Sequence, residues 1–372
     1  MILSVIIVNY NSSSFLELCL HSVAKAISQL ELKSEVIVVD NSSSDDSCEI
    51  LNNKFPFVKL IQNDKNVGFS KANNLGVSKA KGKYICILNP DTVLQENTFD
   101  VILKFYKSNQ KVGFVGCHML DGNGIFLEES KRVVPSIFSS FMKVLGVSKF
   151  YYSALGKDKR GYVDILAGAF MFVEKTIYDS LKGFDEDYFM YGEDIDLSYK
   201  ALKKGYLNYY LGDIKIIHFK GESTDKNSVY VNRFYNAMYI FYTKHFNKFL
   251  VTKIFAYSFF KFIISIKNLS NFSDLGLKLV DSKPVYKDTF LVTRSTNNKT
   301  NIIATRVDLN YLTINKTENS LLIFDLNSIS LSEIINHYNF ISKSNSFRII
   351  VPNTNFYIGS DYADKKGQII KF

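Results

Sequence analysis

The chain of 372 residues holds no tryptophan, only five prolines and five histidines, and four cysteines. The missing tryptophan, beside many Asn, Lys, Ile, Phe and Tyr residues, reads as a bias of base composition and bears on no function. Cys19, Cys48, Cys86 and Cys117 lie far apart and form no CxxC pair. Paired-cysteine chemistry is thereby excluded, and thiols set mostly in or beside apolar runs are expected to be buried in a reducing cytosol. No basic flank and no small-residue cleavage site precede the first apolar run, so a cytosolic protein is expected. There is no internal repeat.

What is present is a globular composition, with 47% apolar and 22% charged residues, outside the disordered range. At roughly 150 residues per domain the length suits one large or two ordinary domains. The formal net charge of +9 fits nucleotide phosphates, nucleic acid or an anionic membrane equally, and chooses none.

Apolar patterning organises the first part of the chain. "LSVIIV" from Leu3 is strand-like, and Phe15 to Ile27 follows at helical spacing. Glu35 to Asp40 is a second strand, and "NSSSDDS" suits a helix start before Cys48 to Asn53. Phe57 to Gln62, a helix over Ser70 to Ala80, and Lys83 to Leu88 complete a β-α-β-α-β-α-β alternation. Parallel neighbours need crossovers, so the expected fold class is α/β, a mainly parallel sheet with helices on both faces. Sites in such sheets lie at the carboxyl ends of the strands. Asn9-Tyr10-Asn11, Asp40-Asn41 and Asn89 to Thr92 fall there.

The last of these closes an apolar strand in "ILNPDTVL". Asn-Pro and Asp are ordinary turn residues, yet this acid has company. Asp40, Asp91, Glu193, Asp194 and Asp196 all fall at strand ends or helix starts, and His218 ends "IKIIH". Hard oxygen ligands with one imidazole suit Mg²⁺ or Mn²⁺, ions that commonly complete their shell with nucleotide phosphates.

"VIIVNYN", "VVDNSSSDDS", "NVGFSKANN", "LNPDT", "AGAFM", "GFDEDYFMYGEDIDL" and "HFKGES" occur in this order between Ile2 and Phe246. Together they resemble family 2 glycosyltransferases of the GT-A fold, in the rhamnosyltransferase-like branch. The resemblance implies a metal-dependent, inverting enzyme of the hexosyltransferase class in bacterial cell-surface polysaccharide synthesis. Its donor would be a UDP- or dTDP-sugar and its acceptor a glycan or polyprenyl-linked hydroxyl, with no nucleic-acid partner. Carried over residue by residue, it implies that Asn9, Tyr10 and Asp40 hold base and ribose, with Asn66 and Asn73 in the same wall. Asn89 stands where the family more often has an acid and would bond a ribose hydroxyl or phosphate. Asp91 and His218 would bind Mn²⁺ or Mg²⁺. In Glu193-Asp194 the second acid matches the family's general base. The plainer readings stay open: Asp40 as a helix cap, Asn9 and Asn11 as loop residues bonding their own backbone, His218 as a strand-end side chain, and the acidic pair as favourable charge at a helix start. Asp196 reads as structural. Arg132, in "KRVVPS", is either a phosphate contact or a surface charge.

Three stretches are expected: a glycosyltransferase domain over 1–246, an apolar basic segment over 247–280, and a small α/β domain of unknown role over 281–372. In the middle stretch Lys253, Lys261 and Lys267 share one side of a helical wheel, which suits a helix lying in the inner membrane surface; a buried helix, an oligomer contact or a span stays open. The last stretch shows strands at Thr289 to Val292, Leu321 to Phe324 and Phe347 to Val351, a helix from Leu331 to Ile341, and no GxGxxG. Two rival functions remain. A sugar nucleotidyltransferase would need a glycine-rich loop where this chain has "NYNSSS". A non-catalytic nucleotide-sugar sensor would have no use for Asp91, Asp194 and His218 together.

Overall fold

The computed structural model describes residues 1–144, 147–220, 228–246, 286–295, 302–314, 317–338, 344–361 and 367–372. The alternation read from the sequence is observed: β1 (Leu3–Asn9), α1 (Ser13–Ser28), β2 (Ser34–Asp40), α2 (Ser47–Lys54), β3 (Val58–Gln62), α3 (Phe69–Ser78) and β4 (Tyr84–Leu88). β5 (Thr92–Leu94), α4 (Thr98–Ser108), β6 (Val112–Leu120), β7 (Lys131–Arg132), α5 (Ile137–Val144), β8 (Arg160–Tyr162), β9 (Ile165–Leu166) and β10 (Phe170–Glu174) follow. Then come α6 (Lys175–Ser180), α7 (Glu193–Lys203), β11 (Leu207–His218) and α8 (Ser228–His245).

The main sheet runs β3-β2-β1-β4-β10-β6-β11-β5, with β8 added against β11. β3, β2, β1 and β4 are parallel, β10 opposes both β4 and β6, and β5 opposes β11. β1, β4 and β6 are buried at every residue. That is the expected pattern when helices cover both faces. The period of two divides their side chains between two cores. Val5 and Ile7 pack with Val36, Val38, Cys86 and the helices α1 and α4, while Ile6 and Val8 pack with Ile37, Val39, Ile87 and the helices α3 and α7. α3 lies so close that a Cβ on Gly76 would stand 2.6 Å from Ile6 Cγ2, which reserves that position for glycine. Cys19, Cys86 and Cys117 are buried free thiols, and Cys48 is half-buried.

A second sheet uses β12 (Asp288–Val292), β13 (Thr305–Val307), β14 (Ser320–Asp325), β15 (Ser346–Ile350), β16 (Phe356–Gly359) and β17 (Gln368–Lys371) in the order β13-β12-β14-β15-β16-β17. Its first four strands are parallel and its last two antiparallel. The sequence reading contains three of these six strands; the other three have three or four residues each, too few to display a period. The helix expected over Leu331 to Ile341 is described over Leu331–Tyr338.

This sheet shares a core with the back of the first. Phe15, Leu18, Val93, Ile217 and Phe219 pack in one cluster with Phe324, Leu331, Ile334, Ile335, Tyr338 and Phe347. Polar contacts flank that core, from Gln95 Nε2 to Asn336 Oδ1 at 3.3 Å and from Asn123 Nδ2 to the Asp361 carbonyl at 2.6 Å. The apolar segment with Lys253, Lys261 and Lys267 lies outside the described residues. Among the described residues no helix is long and apolar enough to cross a membrane.

Candidate active site

Four strand ends and one helix start build the site. Asn9 and Asp40 close β1 and β2 in register with each other. Asn9 Nδ2 donates to Asp40 Oδ1 at 2.9 Å and to Ser43 Oγ at 3.1 Å, and the Ser43 N–H donates to Asp40 Oδ2 at 2.9 Å. Asp40 thus ties the turn after its strand while staying almost fully buried. Asn9 Oδ1 is buried with no partner among the described residues, an acceptor left over at the strand end. Tyr10 is exposed beside it. Asn66 belongs to the same wall through Asn41, whose Nδ2 donates to Asn66 Oδ1 at 2.9 Å; that oxygen also takes the Gly68 N–H at 3.0 Å. Asn73 is fully buried on α3 and donates to the Phe69 carbonyl of its own helix at 3.0 Å. Its Oδ1 is buried with no partner among the described residues, as is that of Asn9.

The turn that closes β4 aims its acid at β11. Thr92 Oγ1 donates to the Asn89 carbonyl at 2.7 Å, and β5 then pairs antiparallel with the end of β11, His218 opposite Thr92. The Phe219 N–H donates to the Asp91 carbonyl at 3.0 Å. These bonds bring Asp91 Oδ1 to 3.4 Å from His218 Nε2, with Asn89 Nδ2 also 3.4 Å from that nitrogen. Asn89 Oδ1 is buried with no partner among the described residues. A plain turn would not need this convergence. No group of three His, Cys, Asp or Glu side chains meets as a metal cage among the described residues. One carboxylate and one imidazole therefore suit an ion that takes its other ligands from phosphate and water.

α7 supplies the acids. It starts after Gly192, held at φ +79°, a conformation that glycine adopts without strain. Glu193 is buried, and its Oε2 has no partner among the described residues. Burial, then the neighbouring Asp194 charge, pushes its carboxyl up to about 8. Asp194 is held differently. Its Oδ2 takes Arg132 Nη2 at 2.5 Å and the Gly168 N–H at 3.0 Å, and its Oδ1 takes the Ile195 N–H at 2.8 Å. Arg132 is no surface charge: it is buried, it also donates to the Leu166 carbonyl at 2.9 Å, and its Nε has no partner among the described residues. Burial disfavours its charge, but Asp194 outweighs burial and the pKa is raised. Asp196, one turn along, is structural, accepting from His245 Nε2 at 2.6 Å and pairing with Lys200 Nζ at 2.9 Å.

One cavity of about 220 Å³ joins the two ends of the site: Asn89 and His218 line it together with Arg132, Glu193 and Asp194. Phe234, Ala237, Met238 and Phe241 of α8 form an apolar wall of the same cavity. Sequence reasoning misses that wall, because its aromatic residues read as helix core. Asn9 and Asp40 do not line this cavity.

Residues 4–181 match the profile of glycosyl transferase family 2. The chain is 25% identical over 260 residues to N-acetylglucosaminyl-diphospho-decaprenol L-rhamnosyltransferase of Mycobacterium tuberculosis, a match spanning 64% of this chain and 83% of that one. It is 30% identical over 162 residues to rhamnosyltransferase WbbL of Escherichia coli K12, spanning 41% of this chain and 61% of that one. Among solved structures it resembles mannosyltransferase PcManGT from Pyrobaculum calidifontis in complex with GDP-Man and Mn²⁺, at 19% identity and TM-score 0.46 over 76% of each chain. The stretch 4–181 that matches glycosyl transferase family 2 contributes Asn89, Arg132 and Gly168 to this cavity, and the acidic start of α7 completes it.

Proposed function

We propose that the protein moves a sugar from a nucleoside-diphosphate sugar to a hydroxyl of a glycan or polyprenyl-linked acceptor, with inversion at the anomeric carbon. The observation that carries this reading is the single cavity lined by Asn89 and His218 at one end and by Glu193 and Asp194 at the other. Asp40, Asn9 and Tyr10 take the base and ribose: the orphaned Asn9 Oδ1 accepts from a ring N–H or hydroxyl, and the exposed Tyr10 ring offers a face to the base. Asn66 shapes the loop beside them. Asn73, whose Oδ1 is likewise orphaned, stands in the same wall. Asn89 bonds the donor's ribose or phosphate through its orphaned Oδ1.

Asp91 and His218 are the protein ligands for Mn²⁺ or Mg²⁺, which when bound supplies positive charge to the departing diphosphate. Asp194 takes the proton of the acceptor hydroxyl as the acceptor oxygen bonds to the anomeric carbon. The bond from that carbon to the phosphate oxygen breaks, and its electron pair leaves on the diphosphate. Glu193, protonated near neutrality, donates a hydrogen bond to the acceptor and holds it in line. The apolar wall of α8 excludes water, which would otherwise compete with the acceptor.

The decaprenol in the name of the Mycobacterium tuberculosis relative supports the reading that the acceptor is polyprenyl-linked; the donors of this reading are UDP- or dTDP-sugars and its place of work is the inner membrane face. Sedimentation velocity measures whether the chain forms a homo-oligomer. Thermal stabilisation by a panel of UDP-, dTDP- and GDP-sugars with Mn²⁺ identifies the donor, because a bound ligand raises apparent stability by mass action. Release of the nucleoside diphosphate with glycan or polyprenyl-diphosphate acceptors then tests turnover. Binding of a donor without turnover on any acceptor, unchanged in Asp194→Asn, would favour a sensor and overturn the enzymatic reading of this site.

A further inference from the structure

Two adjacent carboxylates on the first turn of α7, one buried and one largely so, cannot both carry charge cheaply. Something must decide which of them is ionised. Three observations converge on the β7–β9 ribbon. Its pairing sets Arg132 opposite Ile165 and Lys131 opposite Leu166. Arg132 Nη2 bridges the Leu166 carbonyl and Asp194 Oδ2, at 2.9 and 2.5 Å. Two residues past Leu166, the Gly168 N–H donates to the same Asp194 oxygen at 3.0 Å. A Cβ on Gly168 would stand 3.2 Å from Asp194 Cβ, so the backbone is pressed against this side chain.

We propose that Arg132 is the positioning residue of the active site: it keeps Asp194 ionised and aimed at the acceptor, and leaves the proton of the acidic pair on Glu193. This rests on the reading of Asp194 as the general base. Separating the proton affinities of two neighbouring acids is how one site holds both a base and a proton donor. The charged and titratable groups facing Asp194 are few. Glu193 comes from its own helix, Arg132 from β7 and Tyr151 from the segment after α5, while Glu129 and Lys143 act on Arg132 from beyond it. Of these, Arg132 makes an ion pair with Asp194.

The test is the pH profile of kcat and the donor KM for Arg132→Met and Arg132→Lys, measured beside Asp194→Asn and Glu193→Gln. Losing the opposite charge should displace the acid limb of kcat upward by about one pH unit or more. At pH 7 kcat should fall roughly 10- to 100-fold, while donor KM stays within about 2-fold. Arg132→Lys, which restores charge but not the two-way bridge, should recover part of the displacement, and it serves as the probe if the methionine variant does not fold. Glu193→Gln placed in the Arg132→Met background should move the acid limb back down, because the competing acid is gone. A donor KM raised more than about 10-fold with an unmoved pH profile would make Arg132 a diphosphate contact and overturn the proposal. An equal loss of kcat at every pH would reduce it to scaffold. Near-normal turnover by Asp194→Asn would instead sink the general-base reading, an outcome distinct from either result on Arg132.

Discussion

Replacing Glu96 by alanine should loosen the second sheet from the first. Glu96 lies just after β5, and its carboxylate takes the Leu331 N–H at 2.7 Å, the Ser332 N–H at 2.8 Å and the Ser332 hydroxyl. The helix Leu331–Tyr338 already has a reciprocal cap, Ser330 Oγ donating to Glu333 Oε2 at 2.8 Å and accepting the Glu333 N–H at 3.3 Å. Glu96 therefore satisfies the two first-turn N–H groups this capping box leaves over. Losing a cap of this kind costs about 1 kcal/mol, and losing a negative charge at a helix N-terminus another 0.3–1 kcal/mol. Glu96 is half-buried, so some screening applies, and the expected loss is about 1–2 kcal/mol at pH 7. Burial works against its charge, but the hydrogen bonds from Ser332 and Leu331 outweigh burial and hold its carboxyl below the usual value. A depressed folded-state pKa stabilises fully above the unfolded value of about 4.3 and is lost as pH falls through the folded value. The difference between wild type and Glu96→Ala should thus be constant from pH 6 to 8 and shrink below about pH 4. Urea unfolding followed by circular dichroism and tyrosine fluorescence measures it in a chain without tryptophan. A difference under about 0.5 kcal/mol at pH 7, or one that persists unchanged to pH 3, would refute the reasoning.

Asp91→Ala should abolish metal-dependent donor binding, since the remaining imidazole is a poor site for a hard ion; unchanged affinity and metal dependence by calorimetry would remove that assignment. Asp194→Asn should bind donor normally while turnover falls roughly 100-fold or more. Glu193→Gln should lose less, and the reverse order in steady-state kinetics would pass the base role to Glu193. Changing Lys253, Lys261 and Lys267 to Glu should weaken sedimentation with anionic vesicles, each lysine contributing about 1 kcal/mol near such a surface; equal sedimentation of both proteins would argue for a buried helix.

The strands β1, β2 and β4 and the helices α1 to α3 are legible because burial on both faces writes largely apolar runs into five to seven residues, and helical spacing writes the rest. Asp91, His218 and the Glu193–Asp194 pair are legible for a related reason: each sits at the end of such an element, where side chains face the site rather than the core. Arg132 is different. Its partner Asp194 is 62 residues away and its second partner Leu166 is 34 away, so no local pattern distinguishes it from an exposed charge. Asn73 likewise gives its Nδ2 to its own helix while its Oδ1 lies buried without a partner among the described residues, a division that no local pattern displays.

The sequence by itself determined the mainly parallel sheet, the strand ends that bear polar side chains and the acidic helix start, all of which follow from short-range periodicity and turn chemistry. Tertiary structure alone decided which acid is paired with Arg132 and which is buried with its carboxyl pushed up, the apolar wall that α8 lends to the cavity, and the core that Phe15, Ile217 and Phe219 share with Phe324 and Phe347. Those outcomes depend on desolvation and on contacts between residues remote along the chain. Burial and distance in space have no local signature in the order of residues.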